Sequence, residues 1–225
     1  MAHLRLPAGP ARPAAVASGL VLLALAAAGP AGARAEEAPD PTPVRSVHPY
    51  TVHAVRLVRE DGKAVSLPEE MNDGRPVLLN FIFTTCQSIC PIMSSLFSQF
   101  EERLGADAGH VHVMSISIDP ERDTPERLRE YAKRFHAGPG RNFYTGTVKA
   151  SLAAQEAFEV YRGSKMSHGV VTLMRAAPGK PWVRIEGFVK ADDLVRDYRE
   201  LVAATPAPGA LRASAAGGNV NFQSP

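Results

Sequence analysis

The stretch PVLLNFIF, residues 76–83, constrains the fold of this chain more than any other, because it is apolar at almost every position. A strand that is apolar on both faces has to be covered on both faces, which is typical of the centre of an α/β sheet. Residues 92–104 then carry apolar side chains at helical spacing, and HVHVMSISID (110–119) alternates like a second strand. A strand, a helix and a strand in this order predict parallel pairing through a right-handed crossover.

The rest of the chain predicts the elements that complete this sheet. YTVHAVRLV (50–58) alternates like a strand and leads into a turn at Asp61-Gly62. Thr124 and Pro125 are the N-cap and first residue typical of a helix start. Further helices are predicted over 123–135, about 148–159 and 191–204, and strands over 169–174 and 182–189, close enough to form a hairpin. This order predicts a thioredoxin-like α/β fold, a mixed sheet flanked by helices, with its chemistry at the carboxyl ends of the strands.

The first 35 residues have the pattern of a secretory signal peptide. Arg5 and Arg12 precede an apolar run over 14–28, and AGARA offers a cleavage site after Ala35. The run is shorter than the ~20 residues of a membrane span. We therefore predict cleavage and export, to the periplasm or the outer face of the cytoplasmic membrane. An uncleaved membrane anchor is the alternative.

Composition divides the remainder into three parts. Residues 36–47 are Pro-rich and predicted to be a linker, 48–204 form one domain, and 205–225, rich in Pro, Gly, Ala and Ser, are a predicted disordered tail. Three of the 25 basic side chains lie in the first 35 residues, which have no acidic one, so the rest of the chain has 22 basic against 23 acidic side chains. This balance indicates no basic patch for a nucleic acid or a membrane surface.

Cys86 and Cys90 are the only two cysteines among 225 residues. A structural disulfide is disfavoured, because closing so short a loop restricts the unfolded chain very little. A redox pair is a second interpretation, since the start of the following helix favours thiolates. A metal site is the third, because two thiolates four residues apart can converge on a soft ion such as copper(I) or zinc. The spacing leaves the last two interpretations open.

The histidines bear on the metal interpretation, because two thiolates and one imidazole are enough for copper. His110 and His112 are predicted to be a polar strand start. His136 ends a predicted helix, where an imidazolium suits the helix dipole. His168 stands in a loop that, in a thioredoxin-like sheet, faces the cysteine loop. Fold analogy therefore favours His168 as a third ligand over an ordinary surface histidine.

Three segments together resemble the Sco/SenC family over roughly residues 50–203: GRPVLLNFIFTTCQSICPIMSSLFSQF, HVMSISIDPERDTPERLREYAKRF and SHGVVTLM. The resemblance implies a copper-binding thioredoxin-like protein linked to assembly of the binuclear copper site of cytochrome oxidase. It implies that Cys86 and Cys90 are thiolate ligands of one copper, as Cu(I) or Cu(II), and that His168 is the imidazole ligand. Asp119 matches an aspartate near the family's site, although a turn and helix-entry role is favoured over direct ligation.

The chain departs from the family pattern in the surroundings of these ligands. Gln87 replaces a proline that many members have after the first cysteine, and the segment between Tyr161 and His168 is shorter than usual. The three ligands are intact, so the departures concern the tuning of the site and its partner. Met93 and Met166 are soft groups near the ligands, although methionine at such positions is more often a packing residue.

The resemblance predicts an exported copper chaperone that delivers copper to a respiratory enzyme's copper site, such as that of a cytochrome c oxidase subunit, close to a membrane. The alternative is a thiol-disulfide oxidoreductase that keeps the recipient's copper-site cysteines reduced. Both functions use the same thiols, but only copper delivery needs His168. A peroxiredoxin-like peroxidase has less support, because the sequence singles out no arginine partner for a peroxidatic thiolate.

Overall fold

The structure, a computed structural model, describes residues 42–205 of the chain. The predicted signal peptide and nearly all of the predicted tail lie outside the described residues and stay predictions. The described residues form eight strands and five α-helices. The strands are β1 (Val44–His48), β2 (Arg56–Arg59), β3 (Ala64–Ser66), β4 (Val77–Ile82), β5 (His112–Ser117), β6 (Arg141–Thr145), β7 (Val171–Arg175) and β8 (Trp182–Glu186), and the helices are α1 (Leu67–Met71), α2 (Ile89–Leu104), α3 (Pro125–Arg134), α4 (Val148–Ala157) and α5 (Ala191–Ala203).

The eight strands form one mixed sheet in the order β1-β8-β7-β4-β5-β6-β2-β3. The three central strands β4, β5 and β6 pair in parallel, and the other pairs are antiparallel. The parallel centre and the hairpin of β7 and β8 are as predicted. Among the described residues, no helix is both long and apolar enough to cross a membrane.

Side chains and helices cover both faces of the central strand β4, as its apolar sequence predicts. Val77, Leu79 and Phe81 belong to the core cluster that includes α1 and α4, while Leu78 belongs to the cluster formed with α2 and α5. All six residues of β4 are buried, and fully burying a large apolar side chain contributes roughly 1.5–3 kcal/mol. A third cluster, at the end of β4, packs Phe83 and both cysteines against α3.

Several helix and turn predictions are confirmed in detail. Thr124 accepts a hydrogen bond from the Arg127 N–H at 3.3 Å, so it is the N-cap of α3. Gly62 donates to the Arg59 carbonyl in a turn and has a φ of 88°, which glycine adopts without steric cost. α2 starts at Ile89, three residues earlier than predicted, so that Cys90 lies in its first turn.

Other boundaries are corrected by the structure. The linker predicted over 36–47 is wrong at its end, because Val44–His48 form the edge strand β1 against β8. The strand predicted over 50–58 is reduced to Arg56–Arg59. The short elements β3, α1 and β6 were not predicted, because segments of three to five residues are too short to show a period.

Candidate metal centre

Strand order brings the three predicted ligands to one edge of the sheet. β4 and β5 are parallel and end side by side, Ile82 beside Ser117. Cys86 lies in the loop that follows β4, and Cys90 lies in the first turn of α2. His168 precedes β7, which is antiparallel to β4 and therefore starts where β4 ends. We call this edge of the sheet the thiol edge.

Neither cysteine is in a disulfide, and the two lie next to each other at the start of α2. The Cys90 N–H donates to the Cys86 Sγ at 3.4 Å, and the Ser88 hydroxyl lies 3.7 Å from that sulfur. The Phe83 carbonyl accepts a hydrogen bond from the Cys86 N–H at 3.1 Å, which turns the loop back after the strand. Cys86 is 9% exposed and Cys90 is 1% exposed. A reagent or partner therefore meets Cys86 first.

The two thiols differ in acidity. Burial acts to raise the pKa of Cys86, but hydrogen bonds from the backbone N–H groups of Cys90 and Ser88 outweigh it, and its pKa lies below the ordinary thiol value. Burial raises the pKa of Cys90 far above that value, and the nearby charge of Asp123 acts in the same direction. Since the N–H groups belong to the start of α2, the helix start favours the thiolate of Cys86 in particular.

Asp123 links the start of the cysteine loop to the end of β5 through hydrogen bonds, a role that the sequence alone did not reveal. Its carboxylate accepts hydrogen bonds from the Thr84 N–H at 3.2 Å, the Thr84 hydroxyl at 2.5 Å and the Ser117 hydroxyl at 2.6 Å. Asp123 is fully buried, so these bonds are shielded from water. The sequence does hold one signal of this role, an aspartate directly before an N-cap threonine. Since Thr124 caps α3, the Asp123 carboxylate is free to bond elsewhere.

His168 is half-buried, and one of its ring nitrogens is hydrogen-bonded. Its Nε2 lies 2.9 Å from the Phe81 carbonyl oxygen. A carbonyl can only accept, so Nε2 carries the proton and Nδ1 carries the lone pair in the neutral ring. Burial lowers the pKa of His168, although the carbonyl acts in the opposite direction. The ring is therefore neutral at neutral pH, and Nδ1 is the nitrogen that can bind a metal ion.

The predicted ligands form a pair and a separate third group. Within residues 42–205, no three His, Cys, Asp or Glu side chains lie close enough together to hold a metal ion. The structure therefore brings Cys86 and Cys90 together and places His168 at the same edge with its own hydrogen bond. Met93 is buried in the core, as expected of a packing residue, whereas Met166 is 79% exposed.

Asp119 is engaged in contacts other than those of a metal ligand. Its carbonyl accepts hydrogen bonds from the Arg122 and Asp123 N–H groups, which form the turn before α3. Its carboxylate lies 2.5 Å from the Lys165 Nζ. The backbone contacts agree with the favoured turn and helix-entry role, whereas the carboxylate contact links Asp119 to the loop that carries His168.

The other predicted histidine roles need one correction. His110 precedes β5 and is exposed. His112, predicted as a polar strand start, is only 2% exposed and lies at the opposite edge of the sheet. Burial of this polar ring is possible because the Asp73 carboxylate, the Glu70 carbonyl and the Tyr144 hydroxyl lie within hydrogen-bond distance of its nitrogens. His136, predicted to end the helix, lies two residues after the last residue of α3 and has a φ of 48°, a left-handed conformation common directly after a helix C-cap.

Comparison with protein families adds the decisive observation. The model of the SCO1/SenC family matches residues 46–203, which is most of the chain. The chain belongs to the SCO1/SenC family. The matched range contains every element from β2 to α5 and all three predicted ligands, so the resemblance drawn from the sequence motifs is confirmed.

Two individual relatives show how similar this SCO1/SenC chain is to known members. The SCO1 protein homolog of Bacillus subtilis is 37% identical over 86 residues, 38% of this chain and 44% of that protein. The chain thus spans less than half the length of that relative. ScoI of Arabidopsis thaliana, solved with copper bound, is 26% identical, with a TM-score of 0.58 over 68% of this chain and 99% of that chain.

A further solved structure confirms the thioredoxin-like fold of this SCO1/SenC chain. BsSco, described as a member of the Sco family of cytochrome c oxidase assembly proteins, is 24% identical with a TM-score of 0.59. The match covers 72% of this chain and 99% of that one. Identity at this level supports the fold alone.

Proposed function

We propose that this SCO1/SenC chain is an exported copper chaperone that delivers copper to a respiratory enzyme's copper site in cytochrome c oxidase assembly. Cys86, Cys90 and His168 are its ligands in this proposal. The observation that carries it is a pair of free, adjacent sulfurs with a neutral imidazole at the same edge of the sheet. Family membership and the copper-bound relative from Arabidopsis thaliana support it.

The chemistry of the donors suits an ion that changes oxidation state. Two thiolates favour Cu(I), because soft ligands prefer the soft ion. An imidazole nitrogen makes Cu(II) tolerable at the same site. The Phe81 carbonyl fixes the tautomer of His168, as hydrogen-bond partners of metal-binding histidines commonly do. Cys86, with its lowered pKa, would bind first, and the metal would then displace the proton of Cys90.

Closing this site around copper requires a movement, because the three ligands are not grouped in the described residues. The segment best suited to move is the loop over 161–169, in which seven of nine residues are exposed. A site that closes through one loop can open again through the same loop. This property suits a protein that binds copper and then releases it to a partner.

The second candidate function is a thiol-disulfide oxidoreductase that keeps the recipient's copper-site cysteines reduced. The observation that favours it is the difference between the two thiols. Cys86 is the more exposed and has the lower pKa, which is typical of an attacking thiol, while Cys90 is buried and suited to resolve a mixed disulfide. In this function the two thiols form a reversible disulfide, and His168 is not needed.

A copper titration of the reduced protein distinguishes the two functions. The wild type should bind one copper, and Cu(II) should produce a visible thiolate charge-transfer band. His168→Ala should retain Cu(I) through both thiolates but lose most of its Cu(II) affinity. His110→Ala, at an exposed histidine outside the site, is the matched control and should behave like the wild type. Equal Cu(II) binding by wild type and His168→Ala would show that His168 is not a ligand.

The same variants tested in cells separate delivery from reduction. Copper delivery requires that His168→Ala impairs assembly of the copper enzyme, whereas thiol exchange with a small dithiol survives the substitution. Full assembly with His168→Ala would refute copper delivery through this site and favour the reductase. Export is tested separately by mass spectrometry, since cleavage after Ala35 gives a mature protein that begins at Glu36. A full-length species held in membranes would instead indicate an anchor.

A further inference from the structure

The loop that carries His168 is fastened to the rest of the domain at few points. Within residues 161–170, only Lys165, His168 and Val170 are not exposed. The Val170 carbonyl accepts a hydrogen bond from the Gly187 N–H, next to β7, and the Arg162 side chain donates to the Glu159 and Tyr161 carbonyls, close to it in the chain. Two side chains of the loop reach the ends of the central strands. One of them is the proposed ligand itself, and the other is Lys165.

Lys165 contacts both strand ends at the thiol edge. Its Nζ lies 2.5 Å from the carboxylate of Asp119, which follows β5 and is 6% exposed. The same Nζ lies 5.7 Å from the centre of the ring of Phe83, which follows β4. The Phe83 carbonyl in turn accepts the hydrogen bond from the Cys86 N–H. Lys165 therefore joins the His168 loop to the residue from which the cysteine loop departs.

Lys165 and His168 belong to one turn of backbone. The His168 N–H donates to the Lys165 carbonyl at 3.3 Å, and the Ser167 N–H donates to the Ser164 carbonyl at 3.0 Å. The Ser164 hydroxyl accepts from the Met166 N–H at 3.2 Å, which fixes the start of the turn. Because the turn is internally bonded, holding Lys165 also limits where His168 can lie.

We propose that Lys165 is a positioning residue, whose ion pair with Asp119 keeps His168 at the thiol edge, so that only a short movement of the loop is needed for its imidazole to complete the copper site. The inference rests on the proposed function, in which His168 is the third ligand. An ion pair with a buried carboxylate is far less screened by water than an exposed pair, so it can hold an otherwise exposed loop. Lys165 itself contacts neither thiol, and it acts only through the position of His168.

The test compares Lys165→Met, which keeps the aliphatic chain without the charge, with Lys165→Arg, which keeps the charge. Lys149→Met is the matched control, because Lys149 is exposed at the start of α4. Lys165→Met should lose Cu(II) affinity by roughly 10- to 100-fold, as expected when an outer partner of a metal ligand is removed. Lys165→Arg should restore most of it, Lys149→Met should match the wild type, and Cu(I) affinity should change less than Cu(II) affinity.

A double-mutant cycle shows whether Lys165 acts through His168. In a His168→Ala background, Lys165→Met should cause no further loss of Cu(II) affinity. A loss of the same size in both backgrounds would overturn the proposal, and so would wild-type Cu(II) affinity in Lys165→Met. Either result leaves the proposed ligand set standing, provided that His168→Ala alone weakens Cu(II) binding.

A measurement without copper keeps the inference independent of the metal titration. In NMR spectra of the reduced apo protein, the wild-type His168 ring should show the single tautomer protonated at Nε2. Lys165→Met should mix the two tautomers and increase amide exchange in residues 161–169, while thermal unfolding confirms that the domain stays folded. Unchanged ring signals in Lys165→Met would contradict the proposal. If Lys165→Met disturbs the ring but His168→Ala binds Cu(II) normally, the copper ligand set fails, and with it the role proposed for Lys165 in completing the copper site.

Discussion

The two edges of the central sheet each hold a buried or half-buried histidine, and the two are used in opposite ways. At the edge where β5 begins, the His112 Nδ1 lies 2.9 Å from the Asp73 carboxylate and 3.1 Å from the Glu70 carbonyl, and its Nε2 lies 2.9 Å from the Tyr144 hydroxyl. At the thiol edge, the His168 ring has one hydrogen bond within residues 42–205, from Nε2 to the Phe81 carbonyl. One histidine is fully bonded, and the other keeps a nitrogen available.

This difference separates a group that stabilises the fold from a group that can take part in chemistry. The Tyr144 hydroxyl lies within hydrogen-bond distance of both the His112 Nε2, at 2.9 Å, and the Glu70 carboxylate, at 2.8 Å, so the edge around His112 is a closed network of polar groups. Closed networks fix one structure, and losing a member leaves buried partners unsatisfied. At the thiol edge, two sulfurs outside any disulfide and the His168 Nδ1, which has no hydrogen-bond partner among the described residues, offer lone pairs. Those lone pairs are what a soft metal ion needs.

The largest effect should come from either thiol. Cys86→Ser or Cys90→Ser should abolish the Cu(II) charge-transfer band and reduce copper affinity by at least about 1,000-fold, because a hydroxyl stays protonated and is a poor ligand for a soft ion. Spectrophotometric copper titration measures both. His112→Ala should bind copper like the wild type when it is folded. Copper binding by either serine variant with wild-type affinity would contradict the assignment of the copper site to the thiol edge.

The next largest effect is on the stability of the fold, and it comes from His112 at the edge where β5 begins. His112→Ala should lower the free energy of unfolding by about 2–4 kcal/mol, because it removes a buried ring together with its hydrogen bonds to Asp73, the Glu70 carbonyl and Tyr144. Urea unfolding measures the change. His110→Ala, two residues away and exposed, should change the free energy by less than about 0.5 kcal/mol. Equal effects of the two substitutions would mean that the network around His112 contributes little.

A smaller, kinetic effect distinguishes the two thiols. At neutral pH, Cys86 should react with an alkylating reagent about 10-fold or more faster than Cys90, because the thiolate is the reactive form. The pKa of Cys86 is lowered, so its rate should level off at a lower pH than that of an ordinary thiol, whereas the rate of Cys90 should still be rising there. Mass spectrometry of Cys90→Ser and Cys86→Ser gives each rate, and equal rates would contradict the assigned asymmetry.

The smallest effect concerns the N-cap of α3 at the thiol edge. This cap should contribute to stability and not to copper binding. Thr124→Ala removes the hydroxyl that accepts from Arg127 and should cost about 1 kcal/mol of unfolding free energy. Thr147→Ala, at the equivalent position of α4, is the matched comparison and should cost a similar amount. Copper affinity should be unchanged in both. A large loss of copper binding in Thr124→Ala alone would show that the α3 cap also positions the thiols.

The central part of the fold was predictable, because PVLLNFIF and the helix and strand after it are long enough to show their burial patterns. The thiol pair was predictable too, since both cysteines lie within five residues. What the sequence did not reveal depends on contacts between distant segments. Asp123 is 39 residues from Thr84, and Lys165 is 46 residues from Asp119. The burial of His112 likewise depends on Tyr144, 32 residues away in a strand too short to predict.

The direction of β1 has a consequence for how the chain meets its surroundings. β1 and β7 lie on either side of β8, and Val44 and Val171 both face Glu186, so β1 starts at the thiol edge. The polypeptide that leads into Thr42 therefore joins the domain on the side where Cys86 lies. A tether acting at Thr42 would therefore pull on the domain from the side of its thiol edge and not from the opposite edge. A partner held at the same place would then meet the thiols at a raised effective concentration, so that modest affinity suffices for frequent encounters.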